Sequence, residues 1–495
     1  VNYPVWDVPF IGSGWTIGII AIIHVLISHF AVGAGLLLPV VEAKAVREGR
    51  TDWFPRLEKF SKFFLVLTGV FGAVTGVGIW FSIGLANPEG TSALIHNFVF
   101  GWAIEWVFFI VELSLAAAYY YTWNRIPQKT HLRLGWAYSI ASWGTLVIIN
   151  GILTFKLTPG AWLAFAGGGN ESHHFWDAFM NPGYFPSLGL RTLACVSLAG
   201  IWGLVFFGGL PESDKTKPNL VSWSTRWVIP AYVLMPFFFA WYLATVPADH
   251  RELLTLGIGS AGAGTFSHVT RMALVSLVAS ATTAAAAFFF TWSSPGQFTR
   301  KQGLALLFLA LVATGSTESV REFLRKPFVV NGYLYSNGVR VSGVATMNEK
   351  GYLASSPWTG NVEGADLPPG ADVTGQRMFQ GQCLSCHTLD GYRPLRHLLA
   401  GRDGKSIGNV LQMLHDHKAD SPYRKFMPPL VGTPDEIAAL RRYLDIQVNG
   451  KITWVPPPPK ADSTKADSTR LVAVDTAKAK IDSAAKKDTA KVALK

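Results

Sequence analysis

Residues 14–42 read GWTIGIIAIIHVLISHFAVGAGLLLPVVE, an apolar run whose ionisable members are His24, His29 and the closing Glu42. A bilayer is crossed by about 20 predominantly apolar residues in a helix, so this stretch is predicted to span a membrane. Further runs lie near 61–85, 98–123, 133–155, 187–210, 227–246, 268–292 and 303–320. The chain is therefore predicted to be all-α, a polytopic membrane helix bundle of about eight spans with a smaller soluble part. Composition agrees: 49% of the 495 residues are hydrophobic and 15% charged, where soluble chains carry about 25% charged residues. The first run has no basic segment ahead of it and is too long for a cleaved signal peptide, so it reads as a span.

The loops alternate in charge. Lys44, Arg47, Arg50, Arg56, Lys59 and Lys62 follow the first run, Arg125, Lys129 and Arg133 the third, Lys215, Lys217 and Arg226 the fifth, and Arg300 and Lys301 the seventh. The 86–97 loop has no Lys or Arg, and 156–186 has Lys156 alone. Positively charged loops stay in the cytoplasm. A multi-pass protein of the cell (inner) membrane follows, with both termini on the periplasmic side. The net charge of +11 is scattered over loops and tail with no basic-aromatic patch, which excludes nucleic acid as a main partner.

Four segments are expected: a membrane domain over 1–328, a connector over 329–370, a globular domain over 371–455, and a Pro-rich linker and low-complexity tail over 456–495. Asn331-Gly332, Asn337-Gly338 and Pro368-Pro369-Gly370 mark the connector as irregular. The tail repeats Lys, Ala, Asp, Ser and Thr and cannot bury a core of its own. Order in it calls for a partner surface, expected to come from other subunits of a complex or a periplasmic redox partner.

Cys383-Leu384-Ser385-Cys386-His387 is the pattern that attaches haem covalently, the thiols adding to the vinyl groups and the histidine reaching the iron. A zinc site would need a second ligand pair, which the chain does not offer. Cys195, alone in an apolar run, reads as packing. Residues 371–455 resemble a class I cytochrome c: Gly375 and Phe379 precede the motif, Met427-Pro428-Pro429 follows it, and an apolar-periodic helix, Pro434 to Ile446, closes the domain. Met427 is the expected sixth ligand, with Met413, His415 and His417 as rivals. Thioether ligation favours the ferrous state, which suits electron transfer.

Ionisable groups inside spans are costly and are functional candidates by default. His24 and His29 are five residues apart, about 140° around a helix, so they face different ways. Glu105 and Glu112 are seven apart and share a face. Arg191, His268, Arg271, Glu318, Arg321 and Glu322 complete the set. Over residues 10–328 the chain resembles subunit I of the cytochrome bd oxygen reductases: His24, Gly33 and Glu42 match that family's first-helix spacing, Ala103-Ile104-Glu105 its Ile-Glu motif, and Arg325 and Pro327 its Gly-Arg-Gln-Pro-Trp motif.

That resemblance implies non-covalent haem b and/or haem d, with His24 as axial ligand of a high-spin haem; His29, facing another way, is read as a hydrogen-bonding cofactor contact. The resemblance also implies Glu105 and Glu112 beside the oxygen site or its proton route, Glu318 as a second iron ligand, and a partner of the subunit II type. Three departures stand out. Arg191 occupies the place of the family's low-spin haem histidine, and a permanently protonated Arg cannot ligate iron; Arg271, beside Met272, is the cofactor contact carried over on the seventh run. The 247–267 loop is too short for the family's quinol site. A cytochrome c stands in place of the ninth span.

The expected function is a membrane haem oxidoreductase subunit in which the periplasmic haem c exchanges electrons with haems in the bundle, oxygen being a candidate acceptor. The alternative is an electron conduit without chemistry of its own. A transporter would require paired Gly/Pro-broken helices in two matching halves, which are lacking.

Overall fold

The opening run folds as one continuous helix, Ser13–Arg47. The computed structural model describes residues 5–6, 8–252, 264–292, 294–358, 367 and 369–455. The tail, 456–495, and most of the 247–267 loop lie outside the described residues, and with them the expected docking of the tail. Among the described residues eight helices are long and apolar enough to cross a membrane: Ser13–Arg47, Thr51–Ala86, Val99–Tyr121, Gln128–Phe155, Tyr184–Phe207, Lys217–Thr245, Val269–Trp292 and Arg300–Leu324. They are spans one to eight below.

Several spans begin earlier than their apolar runs. Span two starts at its charged end, with Pro55 in the first helical turn of Phe54–Val66, a position where the missing N–H costs nothing. It also contains a π-turn, Leu67–Gly72. Spans six and four likewise start in polar sequence, at Lys217 and Gln128.

Span one packs against spans two, four and five, and span five against six and eight. At the contact between spans one and five the backbones nearly touch: a Cβ added at Gly33 would lie 1.9 Å from the Cys195 carbonyl oxygen. An aromatic cluster fills the space between spans one, two and five, with Phe30 5.4 Å from Trp202 and Phe60 5.1 Å from Phe206 between ring centres. The outward faces are apolar instead of polar; Val77, Ile140, Phe237 and Phe289 are all exposed. That inversion is the surface lipid covers, since the helices satisfy their own backbone groups.

The C-terminal region is built around three longer helices, Val373–Gln382, Gly404–Asp416 and Pro434–Asn449, with a short one at Leu395–Leu398. Each of the three longer helices starts at a cap the sequence supplies: Asp372 accepts from the Gly375 N–H, Asp403 from the Ser406 N–H, and Thr433 forms a reciprocal box with Glu436. The first and last cross at Gly375, where an added Cβ would fall 2.4 Å from the Ala439 carbonyl. Phe379 packs on Tyr443 at 5.7 Å. The connector is less irregular than its turn dipeptides suggest. Phe328–Val330 and Leu334–Tyr335 pair as a small antiparallel hairpin, and Tyr335, Val339 and Tyr352 are buried in one core with Met378, Phe379, Leu440 and Tyr443.

Bundle and C-terminal region form one compact unit, Val1–Ile452. The chain entering span one meets this region, the Tyr392 N–H donating to the Phe10 carbonyl at 2.7 Å. The loops after spans two, four and six meet the connector at the same end: Glu89 pairs with Arg340, the Asn331 N–H donates to the Lys156 carbonyl, and His250 bonds Asn331. Even-numbered exits thus share one end of the bundle.

Candidate functional site

The Cys383–His387 segment is a tight turn after the helix Val373–Gln382, the Cys386 and His387 N–H groups both donating to the Cys383 carbonyl at 3.0 and 2.9 Å. His387 donates from Nδ1 to the Arg393 carbonyl at 3.0 Å. That bond fixes the tautomer and leaves Nε2 as the lone-pair nitrogen, the usual arrangement of a ligating histidine. Burial, helped by the charges of Arg393 and Lys326, holds the imidazole at about 4 against the raising effect of that bond, so it is neutral in ordinary buffers. Burial pushes the Cys383 thiol up to about 12. Burial also acts upward on Cys386, but Lys326, the Ser385 hydroxyl and Arg393 outweigh it and bring that thiol below its usual value. Both thiols are free. The donor set fits a covalently held haem.

Among the expected sixth ligands, Met427 is half-buried, its N–H donating to the Tyr423 carbonyl at 2.8 Å. Met413 is 40% exposed. His417 caps its helix in a left-handed conformation with Nε2 3.4 Å from the Met427 carbonyl, and His415 donates from Nδ1 to the Leu430 carbonyl.

The turn rests on the end of span eight. Lys326 Nζ lies 3.8 Å from Cys386 Sγ and 3.4 Å from Glu322, which also pairs with Arg325. The Arg393 guanidinium sits 5.0 Å over the Phe323 ring. Lys156, just past span four, belongs to the same charged neighbourhood; burial and the nearby Arg325 and Arg321 push its amine down to about 7.

Inside the bundle the two histidines of span one do face different neighbours. His24 meets span two, its Nδ1 3.0 Å from Thr75 Oγ1. The Thr75 hydroxyl hydrogen is committed to the Phe71 carbonyl at 2.7 Å, so His24 Nδ1 is the donor and Nε2 is free to ligate. Gly76 leaves room beside the ring, an added Cβ there standing 3.3 Å from His24 Cε1. The π-turn that precedes Thr75 is a feature common at functional positions. These residues fit an axial ligand. His29 is buried and donates from Nδ1 to the Val25 carbonyl at 2.8 Å; its surroundings include Arg191 and Glu318.

Glu105 and Glu112 share one face of span three. Glu112 accepts a hydrogen bond from Thr145 of span four. Trp102, one turn from Glu105, packs on Trp80, one turn from Gly76, at 4.9 Å. Glu105 and the His24 contact thus lie at the same depth on adjoining helices. Arg191 and Glu318 meet across spans five and eight at 3.7 Å, and Arg321 Nε donates to the other Glu318 oxygen at 2.8 Å. Both carboxylate oxygens therefore face a guanidinium, which makes Glu318 the counter-charge of two arginines. Arg271 is exposed on span seven.

One buried network was not foreseen. Glu42 is 0% and His131 2% exposed; Tyr119 donates to Glu42 at 2.6 Å, Gln128 donates to it as well, and His131 Nδ1 shares a proton with it at 2.7 Å. His131 Nε2 donates to the Tyr119 carbonyl at 2.9 Å. His131 lies ahead of the fourth apolar run, among Lys129 and Arg133, and read as loop. The available signal was Glu42 itself, a carboxylate at the end of an apolar helix that needs partners.

Residues 13–208 match the family model described as cytochrome bd terminal oxidase subunit I. Among solved structures the chain is similar to one titled "The structure of bd oxidase from Geobacillus thermodenitrificans", with 14% identity and a TM-score of 0.56, covering 65% of this chain and 88% of that one. No curated protein matches the chain. The membrane domain is thus bd-oxidase-like in fold, and its first five spans carry the sequence pattern of that family's subunit I.

Proposed function

We propose that this chain is a membrane haem oxidoreductase subunit in which a covalent haem c, held by Cys383, Cys386 and His387 with Met427 as sixth ligand, exchanges electrons with b- or d-type haem in the bundle. The observation that carries the reading is the seating of the Cys383–His387 turn on span eight, with Lys326 3.8 Å from Cys386 and Arg393 over Phe323. Haem, when bound, supplies one-electron transfer. The protein supplies position: Arg393 orients His387, Thr75 orients His24, and Glu105 and Glu112 offer carboxylates for proton movement at the depth of His24. His29, Arg191 and Arg271 are polar contacts for the bundle's cofactors. In this reading residues 371–455 are the cytochrome c domain, 1–328 the membrane haem domain and 329–370 their connector. The loop charges support a periplasmic side for the end carrying the cytochrome domain and for both termini, and a subunit II-type partner stands beside the bundle.

The test is reduction of the purified full chain by ascorbate and a mediator, followed at wavelengths of c-type and of b- or d-type haem. Replacing both Cys383 and Cys386 with alanine is expected to abolish the c-type signal and slow reduction of the bundle haem at least about tenfold, the loss of one well-placed transfer step being worth 1.4 kcal/mol or more. Undiminished reduction of the bundle haem would contradict the proposal. Met427→Ala is expected to lower the potential of the covalent haem and open it to imidazole. A parental potential and no imidazole binding would move the sixth ligand to Met413, His415 or His417.

A further inference from the structure

We propose that Lys326 is a positioning residue for the covalent haem, a cation on the bundle side of the junction that holds the haem's potential high while Arg393 locks the ligand histidine to span eight. The inference rests on the haem c reading above and deepens it. Three observations carry it. Lys326 belongs to the sequence that ends span eight, yet its ammonium lies 3.8 Å from Cys386 Sγ, a sulfur of the attachment motif. Its side chain is 12% exposed, so bulk water and salt screen it little. Arg393 takes a left-handed backbone conformation, φ 47°, uncommon outside glycine and asparagine. In that conformation its carbonyl accepts from His387 while its guanidinium covers Phe323 of span eight.

Among the described residues the cations beside the motif are Lys326 and Arg393, with Glu322 paired to Lys326 at 3.4 Å. Ferric haem carries one more positive charge than ferrous haem, so an excess of cations held beside it disfavours oxidation. The same residues also tie the motif to span eight, so the orientation of the ligand histidine and the potential are set from the membrane side. The sequence carries both halves of the device, Leu324-Arg325-Lys326-Pro327 and Cys383–His387, but only folding brings them together.

The measurement is the midpoint of the covalent haem in the full-length detergent-solubilised chain, by redox titration. Lys326→Gln, and Lys326→Met as a neutral variant of similar length, are expected to shift the ferrous/ferric equilibrium roughly tenfold toward ferric, about 59 mV downward for a one-electron couple. The shift is expected to persist at 1 M salt, and Lys326→Arg is expected to keep the parental midpoint. A parental midpoint in both neutral variants, or an equal fall in Lys326→Arg, would overturn the inference. A parent chain without covalent haem would defeat the function proposed above instead, so the two failures are distinct.

Discussion

Replacing His24 with alanine is expected to strip a non-covalent haem from the bundle while the c-type spectrum stays as in the parent. The expectation follows from the tautomer. Thr75 spends its only hydroxyl hydrogen on the Phe71 carbonyl, so it accepts from His24 Nδ1 and Nε2 is left for iron. Alanine removes the ligand and keeps the helix, since span one is held by Gly33 against Cys195 and by the Phe30 cluster. Thr75→Val should act in the same direction and less strongly, about 10–100-fold in haem affinity, the usual cost of losing a ligand's outer hydrogen bond. Haem extraction and quantification on the purified variants read both effects. An unchanged non-covalent haem content in His24→Ala removes His24 from the ligand set.

Glu42→Ala is expected to destabilise the folded chain by about 3–5 kcal/mol, because it leaves Tyr119 and His131 buried without their hydrogen-bond partner and takes one from the half-buried Gln128. Glu42, Tyr119 and His131 are among the least exposed residues of the bundle, so water cannot substitute there, while Gln128 is half-buried. Glu42→Gln keeps one acceptor oxygen and should recover part of the loss. Thermal or denaturant unfolding in a single detergent reads the difference. An alanine variant as stable as its parent would show that the network holds nothing together.

The eight spans were legible because span length and apolar content are properties of contiguous sequence. Their starts were not: Phe54–Lys62 is amphipathic and charged, so the helical turns ahead of residue 61 looked like loop. The Cys383–His387 motif is visible for the same reason, since its two thiols and histidine lie within five consecutive residues. What the sequence hid are pairings between distant segments. His131 became a partner of Glu42 only when span four packed on span one, and Lys326 became a neighbour of Cys386 only when the connector folded back. The connector itself was misjudged on its turn dipeptides; Tyr335, Val339 and Tyr352 are placed by those turns into the core around Met378 and Tyr443. Glu318 illustrates the remaining limit. The resemblance implies an iron ligand there; what the sequence does not display is that Arg191 and Arg321, from two helices, enclose the carboxylate.

The central claim is that one chain holds both a covalent haem c and non-covalent haem in its bundle. The most direct measurement is a reduced-minus-oxidised spectrum of the purified chain with pyridine haemochrome analysis, before and after acid–acetone extraction and with and without carbon monoxide. The expected result is a c-type haemochrome that survives extraction, a b- or d-type component that does not, and a carbon monoxide response from the extractable component. A chain whose haem is wholly extractable, or wholly covalent, would contradict it.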